Sequence, residues 1–137
     1  VCSPAYAASG SLTATELQAH RLIHSVKSQA QWTSWFQLAG AASDARWQRV
    51  LFDRSHMAID AAVRGMGIAL ESTLMMQDEL KSGALVCAVK DPPELRITTQ
   101  WIVCPRDHLR QKKVRQFLDW LRDERDAWQA SQDQSAV

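Results

Sequence analysis

FDRSHMAIDAAVRGMGIAL, residues 52–70, reads as the end of one strand, a helix and a second strand. Val50, Leu51 and Phe52 close a β-prone run that starts at Trp47. Ser55 stands where a helix cap belongs, because its hydroxyl can accept from the free N–H groups of the first turn. Ala58, Ile59, Ala62, Val63 and Met66 recur at helical spacing and predict one buried stripe. Arg64 falls in the last turn, where the helix dipole favours a cation. Gly65 and Gly67 permit the chain to turn back into the short buried strand Ile68–Leu70. The two glycines end a helix rather than start one, so they form a turn and not a dinucleotide fingerprint.

The same alternation extends on both sides. Before it, Leu22, Ile23 and His24 predict a strand, and residues 13–16 (TATE) fit a capping box for a short helix to about His20. Trp32, Trp35, Phe36 and Ala39 fall on one helical face that Gly40 can terminate. Residues 1–8 mix small apolar residues with Pro4 and read as a strand end entering a turn or short helix; residues 41–45 read as a loop. After it, Ser72 is positioned to cap a helix that ends near Lys81, with Gly83 beyond it. Residues 85–89 and 97–103 are expected as strands, with Ile97, Thr99, Trp101 and Val103 on one face. A last helix runs from about Gln111 to Trp128, with Val114, Phe117, Leu118, Leu121 and Trp128 inward. Residues 131–137 read as a disordered polar tail. Strands alternating with helices predict an α/β fold with a largely parallel sheet flanked by helices.

Composition bounds the function. The 137 residues suffice for one core, and 46 % of them are hydrophobic. Sixteen basic against 15 acidic side chains leave no footprint for nucleic acid on this chain. No apolar run reaches the roughly 20 residues of a membrane span. Val1 in place of Met is read as the start of a fragment or a processed chain. Cys2, Cys87 and Cys104 are odd in number and lack C-x-x-C spacing, which argues against disulfides or zinc and for reduced, cytoplasmic thiols. Cys87 and Cys104 lie in apolar runs and are expected as small core residues.

Chemistry in such a sheet belongs at the carboxyl ends of strands, beside helix starts. Ser25, Ser55 with His56, and Ser72 with Thr73 occupy three such edges. Free N–H groups there attract a carboxylate or phosphate, although Ser55 can equally serve only as a cap. His20, His24, His56 and His108 show no metal-ligand spacing. Ser55 and His56 diverge on a helix and make no nucleophile–base pair. Hence no catalytic group, metal or cofactor is expected. Trp35, Trp101 and Trp128 fit core stripes, whereas Trp32 opens a helix and could face a cleft. Lys112, Lys113 and Arg115 read as a solvated helix face rather than a DNA patch.

Residues 52–70, the following helix and SGALV, together with VCSPAYA near the start and KVRQFLDWLRDE near the end, resemble the effector-binding domain of LysR-type transcriptional regulators. The resemblance spans nearly the whole chain and is greatest to the subgroup of the glycine-cleavage activator and the β-lactamase regulators. It implies a type 2 periplasmic-binding-protein-like domain of two subdomains with the first incomplete. Residues 1–92 would form the second subdomain, and 93–130 the returning strand and helix of the first. It also implies a bacterial, cytoplasmic, non-enzymatic regulator that is a homo-oligomer, dimer or tetramer, when full-length. The regulator would bind a small anionic metabolite in the cleft between subdomains. Promoter DNA would be met only through an N-terminal domain outside this chain, and no membrane is involved. Ser25, Ser55 and His56 match cleft-facing positions, and Gln100 falls where the subgroup often carries an aromatic residue, so effector type departs from the pattern. A solute-binding protein for a small carboxylate or amino acid is the alternative on the same fold, and an enzyme on that scaffold is a weaker third reading.

Overall fold

The computed structural model describes residues 1–7, 11–42, 47–98 and 100–135, with side chains through residue 131. Ala8, the loop at 43–45, Thr99 and the tail end 136–137 lie outside the described residues. The chain divides into two compact units, 1–99 and 100–137.

In the first unit, strands β1 (Arg21–Ser25), β2 (Gln48–Phe52) and β3 (Ile68–Ala69) form a parallel sheet in the order β2-β1-β3. Parallel neighbours need crossover connections. Helix α1 (Trp32–Leu38) links β1 to β2, and α2 (Ser55–Val63) carries the chain from β2 across β1 to β3. Successive strand residues point to opposite faces, and the two cores follow that alternation. Leu22 and Ile68 pack with Trp32, Trp35, Phe36 and Trp47 on the α1 side. Ile23 and Ala69 pack with Ala58, Ile59, Ala61 and Ala62 on the α2 side. Aromatic rings dominate the α1 side: Phe36 meets Trp47 edge-on with centroids 5.2 Å apart, and Trp32 stacks on it at 5.6 Å.

The predicted turn after α2 forms with Gly65 at φ +72°, a conformation that glycine adopts freely. Gly67 then passes so close to β1 that a Cβ on it would lie 2.3 Å from the Arg21 carbonyl oxygen. Val1 continues the pairing beyond β3 by exchanging backbone hydrogen bonds with Ala69, at 2.9 and 2.8 Å. Residues 3–7 follow as a turn. The capping box at 13–16 is made: Glu16 Oε2 accepts from the Thr13 N–H at 2.8 Å, and the Glu16 N–H donates to Thr13 Oγ1 at 3.2 Å. It starts only a short 3-10 helix, Glu16–Ala19.

Several expectations are corrected. Arg54, not Ser55, is the residue before α2, and its side chain makes no capping hydrogen bond. Helix α3 (Gln77–Lys81) starts after Met76, because a turn opened by Ser72 intervenes. Residues 85–89 make only isolated bridges, Val86 with Cys2 and Val89 with Leu12. Cys87 is exposed and Cys104 half-exposed, whereas Cys2 is the buried thiol. The described residues of 97–103 form no strand, and Trp101 is 76 % exposed rather than core. A strand needs a partner for its backbone groups, and the described residues offer that segment none.

The second unit holds a 3-10 turn, Arg106–Arg110, and helix α4 (Lys112–Ser135). α4 outruns the expected helix and takes in residues 131–135, which were expected to be disordered. Val114, Leu118, Leu121 and Trp128 are half-buried along one side, but Phe117 is 54 % exposed and touches Trp120 instead.

Candidate ligand-binding site

The loops leaving β1 and β2 depart towards opposite faces of the sheet, since α1 and α2 cover different sides. The carboxyl ends of two strands whose connections diverge in this way are the place where open α/β sheets bind ligands. Ser25 ends β1 opposite Phe52, the last residue of β2. The Val26 N–H donates to the Phe52 carbonyl at 2.8 Å and fixes the two loops at their roots.

Two polar side chains, Ser55 and Glu71, join at this edge, and Ser25 ends the strand between their segments. Ser25 lies two residues beyond Ile23 and so shares its face. Its side chain is 1 % exposed, and its Oγ has no hydrogen-bond partner. Glu71 lies two residues beyond the end of β3, and its carboxyl reaches Ser55 of α2. It is 8 % exposed, and its Oε1 has no partner. Ser55, in the first turn of α2, hydrogen-bonds the Glu71 carboxyl. Ser55 follows β2 and Glu71 follows β3, the two neighbours of β1, so their bond joins segments from either side of the strand that Ser25 ends.

Burial pushes the Glu71 carboxyl above the usual carboxylate range, and the Ser55 hydrogen bond opposes this only in part. On the same loops the exposed Asp53 pairs with both Lys27, at 3.5 Å, and Arg54, at 3.0 Å, two cations to one carboxylate. The first N–H groups of α2 have no acceptor further back in the helix and supply partial positive charge at this edge. Together the site offers a buried carboxyl acceptor, two hydroxyls and a helix N-terminus.

The residues named from sequence divide accordingly. Ser25 and Ser55 come to the same edge, and Ser55 bonds a side chain rather than its own helix. His56 is exposed beside Ser55 at the start of α2. Trp32 is a core residue: it is buried, and its indole N–H donates to the Ile23 carbonyl at 3.0 Å. Its ring also borders a cavity of about 170 Å³ alongside β3, with Leu17, Ile68, Leu70 and Met76, where Glu71 and Thr73 are the polar members. Gln100 is exposed and belongs to the second unit. Glu71 is the residue that sequence reasoning missed. Its signal was an acidic side chain directly after a buried strand. Among the described residues no group of His, Cys, Asp and Glu could hold a metal ion.

A family model described as the LysR substrate binding domain matches residues 1–126. The chain belongs to this family. Among LysR relatives, it is 37 % identical over 95 residues to the HTH-type transcriptional regulator PerR of Escherichia coli, covering 69 % of this chain and 32 % of that protein. It is 35 % identical over 124 residues to the HTH-type transcriptional activator AmpR of Pseudomonas aeruginosa, covering 88 % of this chain and 40 % of that one. The chain thus spans about a third to two fifths of the curated relatives it matches. Among solved structures, the effector domain of AmpR from Pseudomonas aeruginosa matches with a TM-score of 0.54 and 30 % identity over 65 % of this chain and 43 % of that one. The effector binding domain of AmpR from Citrobacter freundii matches with a TM-score of 0.58 and 27 % identity over 69 % of this chain and 46 % of that one. The fold is therefore that of a LysR substrate-binding domain, periplasmic-binding-protein-like, represented in part.

Proposed function

We propose that this chain is the effector-sensing part of a bacterial LysR-type transcriptional regulator, and that it binds a small metabolite at the carboxyl edge of its sheet. The observation that carries the reading is the convergence of Ser25, Ser55 and Glu71 there, with two buried polar atoms left unpartnered. Buried polar groups without partners are unfavourable and uncommon, and a ligand that hydrogen-bonds them removes the penalty. Membership of a family of regulators supports action by binding rather than by turnover.

In the intact regulator, residues 1–92 form the second effector subdomain and 93–130 contribute a returning strand and helix to the first. Ser25 and Ser55 contact the effector directly. The acid group of the effector sits at the start of α2, beside His56. Trp32 supports the wall from the core. Promoter DNA is met through a separate N-terminal domain, and the full-length protein works as a dimer or tetramer in the cytoplasm. No helix among the described residues is long and apolar enough to cross a membrane.

Promoter occupancy by the full-length regulator, measured with and without a metabolite extract, tests this. Ser25→Ala and Ser55→Ala should blunt the response to the extract while leaving basal promoter binding intact. Variants that respond as fully as the unaltered protein would remove the carboxyl edge from consideration.

A further inference from the structure

An effector held only through an acid group would satisfy the N-terminus of α2 and leave Glu71 unanswered. Glu71 Oε1 is an acceptor with no donor, in a side chain more than nine-tenths buried. Ser25 Oγ, at the same edge, is equally without a partner. Burial alone raises the Glu71 carboxyl above its ordinary range, and a cation set against it reverses that effect. The chain's own cations on the flanking loops are engaged elsewhere: Lys27 and Arg54 both pair with the exposed Asp53.

We propose that Glu71 is the specificity-determining residue of this site, binding an ammonium group of the effector through Oε1 with Ser25 Oγ as a second, uncharged partner. The inference rests on the reading of the carboxyl edge as the effector site. It names the class of effector as a small zwitterion, with its acid at the start of α2 and its amine on Glu71, and excludes a simple anion. A simple anion would add negative charge beside a buried carboxyl and supply it with no donor. A zwitterion gives each end of the site an opposite charge, and hydrogen bonds to charged groups are the stronger kind.

The test uses three matched probes, alanine, ethylamine and propionate, titrated into the isotopically labelled protein at constant ionic strength. Resonances of Ser25, Ser55 and Glu71 report binding. Alanine and ethylamine should shift Glu71 and Ser25 saturably, and propionate should act at least about tenfold more weakly. Glu71→Gln should weaken ethylamine about tenfold or more, the loss expected of one charge-assisted hydrogen bond. Ser25→Ala deletes a hydroxyl that bonds nothing in the fold, so it keeps the inference testable if Glu71→Gln folds poorly. It should weaken ethylamine several-fold and retain the preference over propionate. Propionate binding at Ser25 and Ser55 as tightly as ethylamine, or ethylamine binding untouched in both variants, overturns the inference while the effector site stands. No shift at Ser25, Ser55 or Glu71 with any probe overturns the effector site itself and the inference with it.

Discussion

Replacing Gly67 with alanine should damage this fold far more than the addition of one methyl group suggests. The new Cβ would sit 2.3 Å from the Arg21 carbonyl oxygen, 3.2 Å from its carbonyl carbon and 3.3 Å from its Cβ. Two of those atoms are backbone of β1, so no rotamer change relieves the contact. Ordinary contact requires β3 and β1 to separate by about 1 Å, and close-packed interiors resist such a shift. The move would stretch the pairing of Leu22 with Ile68 and Ile23 with Ala69. It would also loosen Ile68 and Ala69 from the two cores they enter. Overpacking alone costs typically 1–3 kcal/mol, and the disturbed ladder adds to it, so about 3 kcal/mol is expected. Gly83→Ala is the contrasting control: Gly83 has positive φ, +74°, which Gly67 does not, and a Cβ there meets nothing within 4 Å. Its cost should be only the conformational one, about 1 kcal/mol. Urea unfolding of both variants, followed by tryptophan fluorescence, gives the comparison. Equal losses for the two glycines would refute the argument that backbone proximity at Gly67 holds β3 in place.

Three further outcomes follow from the site and core. Glu71 has its folded carboxyl raised by burial, so between the ordinary glutamate range and that raised value the folded protein keeps a proton that the unfolded chain has lost. Stability contributed by this group therefore falls as pH rises through that window. Glu71→Gln should gain stability relative to the unaltered protein at about pH 7 and not at about pH 4, and urea midpoints at the two pH values check this. Ser55→Ala should cost about 1–3 kcal/mol by removing the partner of a buried carboxyl. It should also raise the Glu71 titration midpoint, read by carboxyl ¹³C shifts, and an unchanged midpoint would mean that the bond is not made in solution. Trp32→Phe keeps the ring stack on Phe36 but deletes the 3.0 Å hydrogen bond to the Ile23 carbonyl, and should lose about 1 kcal/mol in chemical denaturation.

The framework was legible because periodicity reports burial. Of the stripe Ala58, Ile59, Ala62, Val63 and Met66, the first three are buried, Val63 is half-buried and Met66, beyond the end of α2, is exposed; Leu22, Ile23, Val50 and Phe52 were read as strands and pair in register. What failed was whatever depends on a neighbour elsewhere. Residues 97–103 carry a β-prone pattern, but the described residues among them form no strand, because a pattern cannot supply the partner whose backbone groups complete it. Cys87 sits in an apolar run and is exposed, because residues 85–89 make single bridges instead of entering the sheet. At the site, Ser25 and Ser55 were legible as strand-end and helix-start residues. Glu71 was not, because an acidic residue after a strand looks like ordinary surface until both its burial and its bond to Ser55 are visible.

Ser25, Ser55 and Glu71 are brought together by one uninterrupted run of chain from β1 to the end of β3. Each stands just where a strand gives way to a connecting segment, and none belongs to the packed interior of α1 or the glycine turn. Changes at these three points can therefore alter ligand preference while the crossovers and both cores stay as they are. Selectivity in this domain is thus separable from topology: descendants of one framework can come to answer different metabolites through substitutions at strand ends, at a cost in stability but not in strand order.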